Sequence, residues 1–152
     1  MRQTTRTSHY RSANRRRGSA LVEFALMTPF LLLILAGVLD YGQALSKATG
    51  IANAARIGAQ YGCSSVARST DTAGIRAAAV NSAPGFSGLS VSSVQSCKCP
   101  GGASVSCSGS CGSGKLLMYV KVTVTAASSP IFSYSGLGFT GNISRQATMR
   151  VQ

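Results

Sequence analysis

The chain is poor in acids: Glu23, Asp40 and Asp71 stand alone among 152 residues, against fifteen lysines and arginines. So few carboxylates, so far apart in sequence, argue against the paired acids of glycoside hydrolysis and the oxygen-rich cages of calcium sites. There is a single histidine, His9, placed in a basic leader ahead of a hydrophobic run, so histidine-based acid–base or triad chemistry is not expected of the exported part. The glycines form no G-x-G-x-x-G turn between a strand and a helix, and Gly114-Lys115-Leu116 lacks the hydroxyl residue that closes a phosphate loop. A non-catalytic protein without cofactor or metal is the expectation.

The formal charge of +12 invites a nucleic-acid reading, but its distribution argues against one. Arg2, Arg6, Arg11, Arg15, Arg16 and Arg17 all precede the hydrophobic run, and the remaining nine cations are spread along a chain rich in Ser, Gly and Ala. The leading cluster fits the positive-inside rule, which retains such a segment in the cytoplasm.

From Ser19 to Leu39 run 21 residues with Glu23 as their sole charge. A helix rising ~1.5 Å per residue needs ~20 of them to cross the hydrocarbon core, so this segment is long enough to span. A cleaved secretory signal has a shorter apolar core and a small-x-small site, for which Gly42-Gln43-Ala44 is a weak match. Pro29 has no N–H for the carbonyl of Ala25, so a kink or local unwinding is expected there.

Beyond the span, Ala44, Ala48, Ile51, Ala52, Ala55 and Ala59 recur at helical spacing, which predicts that the helix continues, over residues 20–61. The small stripe suits either close approach to other helices or packing on the protein's own sheet. A second helix is expected over 72–82, capped by Thr70 or Asp71 and ended by Ala83-Pro84-Gly85. Thereafter the period changes to two, predicting strands over 89–94, 116–125 and 143–151. The fold class is therefore α+β: a long N-terminal helix, membrane-spanning in its first half, packed on a small antiparallel sheet.

All five cysteines, Cys63, Cys97, Cys99, Cys107 and Cys111, follow the span, where a chain with its N-terminus inside delivers them to the oxidising compartment. Four lie in the Gly/Ser-rich stretch 97–115 and are expected to crosslink, but spacing alone selects no pairing. A zinc site is the competing reading of Cys-x-Cys and Cys-x3-Cys, disfavoured by the lack of an accompanying histidine. The odd cysteine is left as a free thiol or an intersubunit link.

Glu23 is the residue that a plain anchor does not explain, because an intramembrane acid costs a few kcal/mol and usually has a partner or a task. Snorkelling to a nearby interface is the simplest account. The neighbours offer another. A basic leader ends at Gly18, and Ser19-Ala20-Leu21-Val22-Glu23-Phe24 follows, which resembles a type IV prepilin processing site with Glu fifth after the cut and an aromatic behind it. "RRGSALVEFALMTPFLLLILAGVLDYG" with "ATGIANAARIGAQYG" resembles the N-terminal region of the TadE-like family of pilin-like proteins, most strongly over residues 15–62. That resemblance implies a pilin-like minor subunit or pseudopilin of a Tad-type bacterial pilus, cut between Gly18 and Ser19 by a prepilin-type peptidase. It implies a cytoplasmic leader (1–18), an inner-membrane span (19–42) and a periplasmic helix extension and head (43–152), whose partners are the inner membrane, the peptidase, other pilin-like subunits and the assembly machinery. In that setting the new Ser19 amine of a neighbouring subunit is a counter-ion for Glu23, with Glu23 and Phe24 setting subunit registry. The alternative is a single-pass membrane-anchored periplasmic binding module unrelated to pili, which would keep its leader.

Overall fold

The computed structural model describes residues 15–112, 114–128, 131 and 141–152, with the side chains of Arg15, Arg16 and Arg17 outside the description. The chain divides into two compact units at the junction of Leu39 and Asp40. Helix α1, Arg15–Cys63, runs through the junction and remains helical at Pro29. Beside the proline, the Thr28 hydroxyl bonds the Phe24 carbonyl at 2.7 Å, one turn back.

In the first unit the helix is apolar on every side, and its large residues from Leu21 to Leu39 are exposed, Leu21 at 71 % and Leu33 at 65 %. No face is reserved for a core. α1 is long and apolar enough from Gly18 onward to cross a membrane, by length and composition. Such all-round apolarity fits a helix whose solvent is lipid.

In the second unit α1 becomes one-sided. Ile51, Ala54, Ala55 and Ala59 are fully buried and Ala48 nearly so, while Asn53, Arg56 and Gln60 face outward. The chain then forms α2, Val66–Ser69, capped by the Ser65 hydroxyl, and α3, Thr72–Asn81, capped by the Asp71 carboxylate on the Gly74 N–H. Four strands follow: β1 (Ser90–Lys98), β2 (Ser104–Val105), β3 (Leu117–Ser128) and β4 (Gly141–Arg150). They make one antiparallel sheet in the order β2-β1-β3-β4.

The sheet's covered face follows the period of two. Val120, Val122 and Val124 of β3 are fully buried, and their direct partners on β4 are Met149, Ala147 and Arg145. The core joins these valines to Ile51, Ala55 and Ala59 of α1 and to Ile75 and Ala79 of α3. Close approach is possible because α1 presents Gly58 and Gly62 there: a Cβ on Gly58 would stand 3.2 Å from the Ala79 Cβ, and one on Gly62 would stand 3.0 Å from both Ile75 and Val120. Ile51, Ala55 and Ala59 of the stripe on the outer half of α1 thus pack within this chain. Of its two expected uses, the protein's own sheet is the realised one.

The expected helices and strands are present, with shifted ends. α1 begins inside the basic leader, β1 extends to Lys98 so that Cys97 belongs to a strand, and β3 continues to Ser128. α2 and β2 were not foreseen, because four and two residues are too few for a periodic signal.

Candidate functional site

Gly18 lies within α1 with nothing within 4 Å of where a Cβ would be, so its peptide bond is sterically open on that side. Ser19 and Glu23, one turn apart, share a face, and the Ser19 hydroxyl is 3.5 Å from Glu23 Oε1. That is a long, single contact for a carboxylate that can accept several hydrogen bonds. Phe24 beside it is 65 % exposed. Gly18, Ser19, Glu23 and Phe24 therefore form an outward-facing patch at the start of the apolar helix, and the carboxylate finds no cation among the described residues of its own unit.

The other two acids are committed inside the head. Asp40 Oδ1 accepts the Ile131 N–H at 2.8 Å, which ties the segment following β3 to α1 where the head begins. Asp71 is held twice: Oδ1 takes the Gly74 N–H at 2.9 Å and Oδ2 takes the Tyr61 hydroxyl at 2.9 Å. The Gly74 amide, then the Tyr61 hydroxyl, keep the Asp71 carboxyl below its ordinary range. The hydrogen bond to Asp71 in turn pushes the Tyr61 phenol up. Arg68 stacks over the Tyr61 ring at 5.0 Å from its centroid, closing the group. A Cβ at position 74 would collide with the Asp71 carboxylate and the Tyr61 ring, so a larger residue there would displace this clasp. Asp71 was legible as a cap; its clasp by Tyr61 was not, because ten residues separate the two.

The cysteines resolve into two bridges, Cys97–Cys107 and Cys99–Cys111, with Cα atoms 5.1 and 5.6 Å apart. These interleaved closures take four of the five thiols, which leaves no zinc ligand set in the stretch 97–115. Cys63 is free and half-buried at the end of α1, its thiol 3.4 Å from the Gln60 carbonyl. The Cys63 carbonyl receives the Gln152 N–H at 3.1 Å, so the last described residue docks on the end of α1.

Two clefts bordered by described residues indent the head. One, of about 570 Å³, lies between the start of β3 and the end of β4, lined by Val66, Lys115, Leu116 and Arg150 among others. The second, of about 530 Å³, is bordered by Tyr41, Leu45 and Ala48 of α1 and by Ile143 and Arg145 of β4. Among the described residues no three histidines, cysteines or acids converge as metal ligands. The head carries nine lysines and arginines against Asp40 and Asp71, so it presents an excess of positive charge to its surroundings.

Residues 18–60 match the model of the TadE-like protein family, a match that begins at the open Gly18 and ends in the glycine-lined packing face of α1. No curated protein and no solved structure matches the chain.

Proposed function

We propose, with the TadE-like character of residues 18–60 as the premise, that this chain is a structural or assembly subunit, a minor pilin or pseudopilin, of a Tad-type bacterial pilus. The supporting observation is the division of α1: exposed and apolar on all sides up to Leu39, then one-sided and self-packed from Ala48 onward. A helix built this way leaves its first half for lipid or neighbouring helices and fixes its second half in a folded head.

In this reading the arginine-rich leader stays in the cytoplasm, the segment 19–42 crosses the inner membrane, and residues 43–152 fold in the periplasm, where the bridges Cys97–Cys107 and Cys99–Cys111 form. A prepilin-type peptidase cuts between Gly18 and Ser19 at the cytoplasmic face. The cut replaces a peptide N–H with a cationic amine, and in an assembly that amine meets Glu23 of an adjacent subunit. Pairing fits an acid in low dielectric that, among the described residues, has only the distant Ser19 hydroxyl within reach. The reading assigns the chain no catalytic role and no cofactor.

N-terminal sequencing of the protein recovered from its bacterium tests the proposal. Ser19 as first residue, with a Gly18→Ile variant retaining the leader, is the expected result. An intact leader on the native protein would overturn the processing step and favour a simple membrane-tethered module, and absence of the chain from both sheared pili and the assembly machinery would overturn the pilus role.

A further inference from the structure

β4 forms one edge of the sheet, and its covered face alternates Ile143, Arg145, Ala147 and Met149 against Ala126, Val124, Val122 and Val120 of β3. Arg145 breaks that pattern: it stands directly opposite the fully buried Val124, at a position where the period of two calls for an apolar residue. Arg145 is exposed, its guanidinium donates to the Ser144 carbonyl at 3.0 Å, and no acid pairs with it among the described residues. It borders the cleft formed with Tyr41, Leu45, Ala48 and Ile143.

This cleft lies where the head begins. Along the helix axis Tyr41 and Leu45 are ~3 and ~9 Å beyond Leu39, against a headgroup layer roughly 5–8 Å thick on each side of the hydrocarbon. Both are exposed, at 72 and 53 %, and so is Ile131 at 52 %, which its bond to Asp40 holds at the same level. Tyr41 thus falls within that layer and Leu45 at its outer edge, and an exposed amphipathic tyrosine is the residue type that the interface between water and lipid selects.

We infer that this rim of the head is a seat for an anionic phospholipid of the outer leaflet: Arg145 takes the headgroup phosphate while Tyr41, Leu45 and Ile131 enter the interfacial layer beside its chains. The inference rests on the membrane-spanning reading of α1. Charge decides the occupant. A second copy of the head brings its own cations and engaged acids to the cleft, whereas an anionic headgroup brings the charge that Arg145 lacks.

The test uses the full chain in nanodiscs of phosphatidylcholine mixed equally with phosphatidylglycerol, with the retained lipids counted by native mass spectrometry and insertion checked by resistance to carbonate extraction. The leader arginines act equally in all variants, so the readout is the difference between them. Wild type should retain phosphatidylglycerol preferentially, Arg145→Gln should lower that preference about fivefold, and Arg145→Lys should largely keep it, as expected for one cation at an anionic surface. An unchanged preference in an inserted Arg145→Gln protein overturns the seat and leaves the anchor standing, even if that variant self-associates, since Arg145 would then be a guard of the β4 edge. A chain that fails to enter the bilayer overturns the anchor and the seat together.

Discussion

Replacement of Ile75 by alanine tests whether the glycines of α1 are there to receive α3. Ile75 is fully buried, and with Ala79 it supplies the buried face of this ten-residue helix. It fills the space over Gly62, where even a single added carbon would touch it. The substitution removes three carbons, worth about 2.4 kcal/mol at ~0.8 per methylene, and the unfilled volume adds a cavity term, for a total of about 3 to 4 kcal/mol. Against a domain stability of roughly 5–15 kcal/mol, that is a large share. With a urea slope of ~2 kcal/mol per molar, the unfolding midpoint should fall by about 1.5 to 2 M. The assay is pulse proteolysis of the full chain in detergent micelles across a urea series, following the protected head. Val80→Ala, on the outer side of the same helix, is the control and should shift the midpoint by less than about 0.3 M. Equal shifts for the two variants, or an Ile75→Ala shift under about 0.5 M, would refute the docking of α3 on the Gly58–Gly62 face.

Four further outcomes are expected. The Asp71 carboxyl is depressed in the fold, so its contribution is present above the ordinary carboxylate range and is lost as pH falls through the lowered folded value; Asp71→Asn should flatten the acid limb of a stability-versus-pH curve. The Tyr61 phenol is raised, so its contribution is complete below the ordinary tyrosine value and disappears as pH rises through the folded one, and Tyr61→Phe should remove that alkaline loss. Intact mass of the denatured, unreduced protein should show two bridges and one alkylatable thiol at Cys63, and loss of either bridge should destabilise the head by about 3 kcal/mol, the scale for closures of 10 and 12 residues. Glu23→Ala should still permit cleavage after Gly18 yet abolish incorporation into pili, and normal piliation by that variant would sink the counter-ion role.

The sequence by itself determined whatever depends on neighbours a few residues apart. The apolar run with its lone Glu23, the outer helix, the Asp71 cap and the three principal strands all rest on local period and local chemistry, and each is found in the fold. The resemblance carried by Gly18 to Phe24 and the residues behind them was likewise local, which is why it coincides with the family match over 18–60. What only the tertiary structure decided involves partners distant in the chain. Spacing offered many cysteine pairings, and the structure, with Cys97 near the end of β1 opposite Val105 of β2, has Cys97–Cys107 and Cys99–Cys111. The small stripe of α1 fitted two uses, and the valines of β3 with Ile75 of α3 selected one. Tyr61 at Asp71, Ile131 at Asp40 and Arg145 opposite Val124 were illegible for the same physical reason: pattern reports which way a side chain faces along its own element, whereas what it faces is fixed only when strand register and helix packing bring remote segments together.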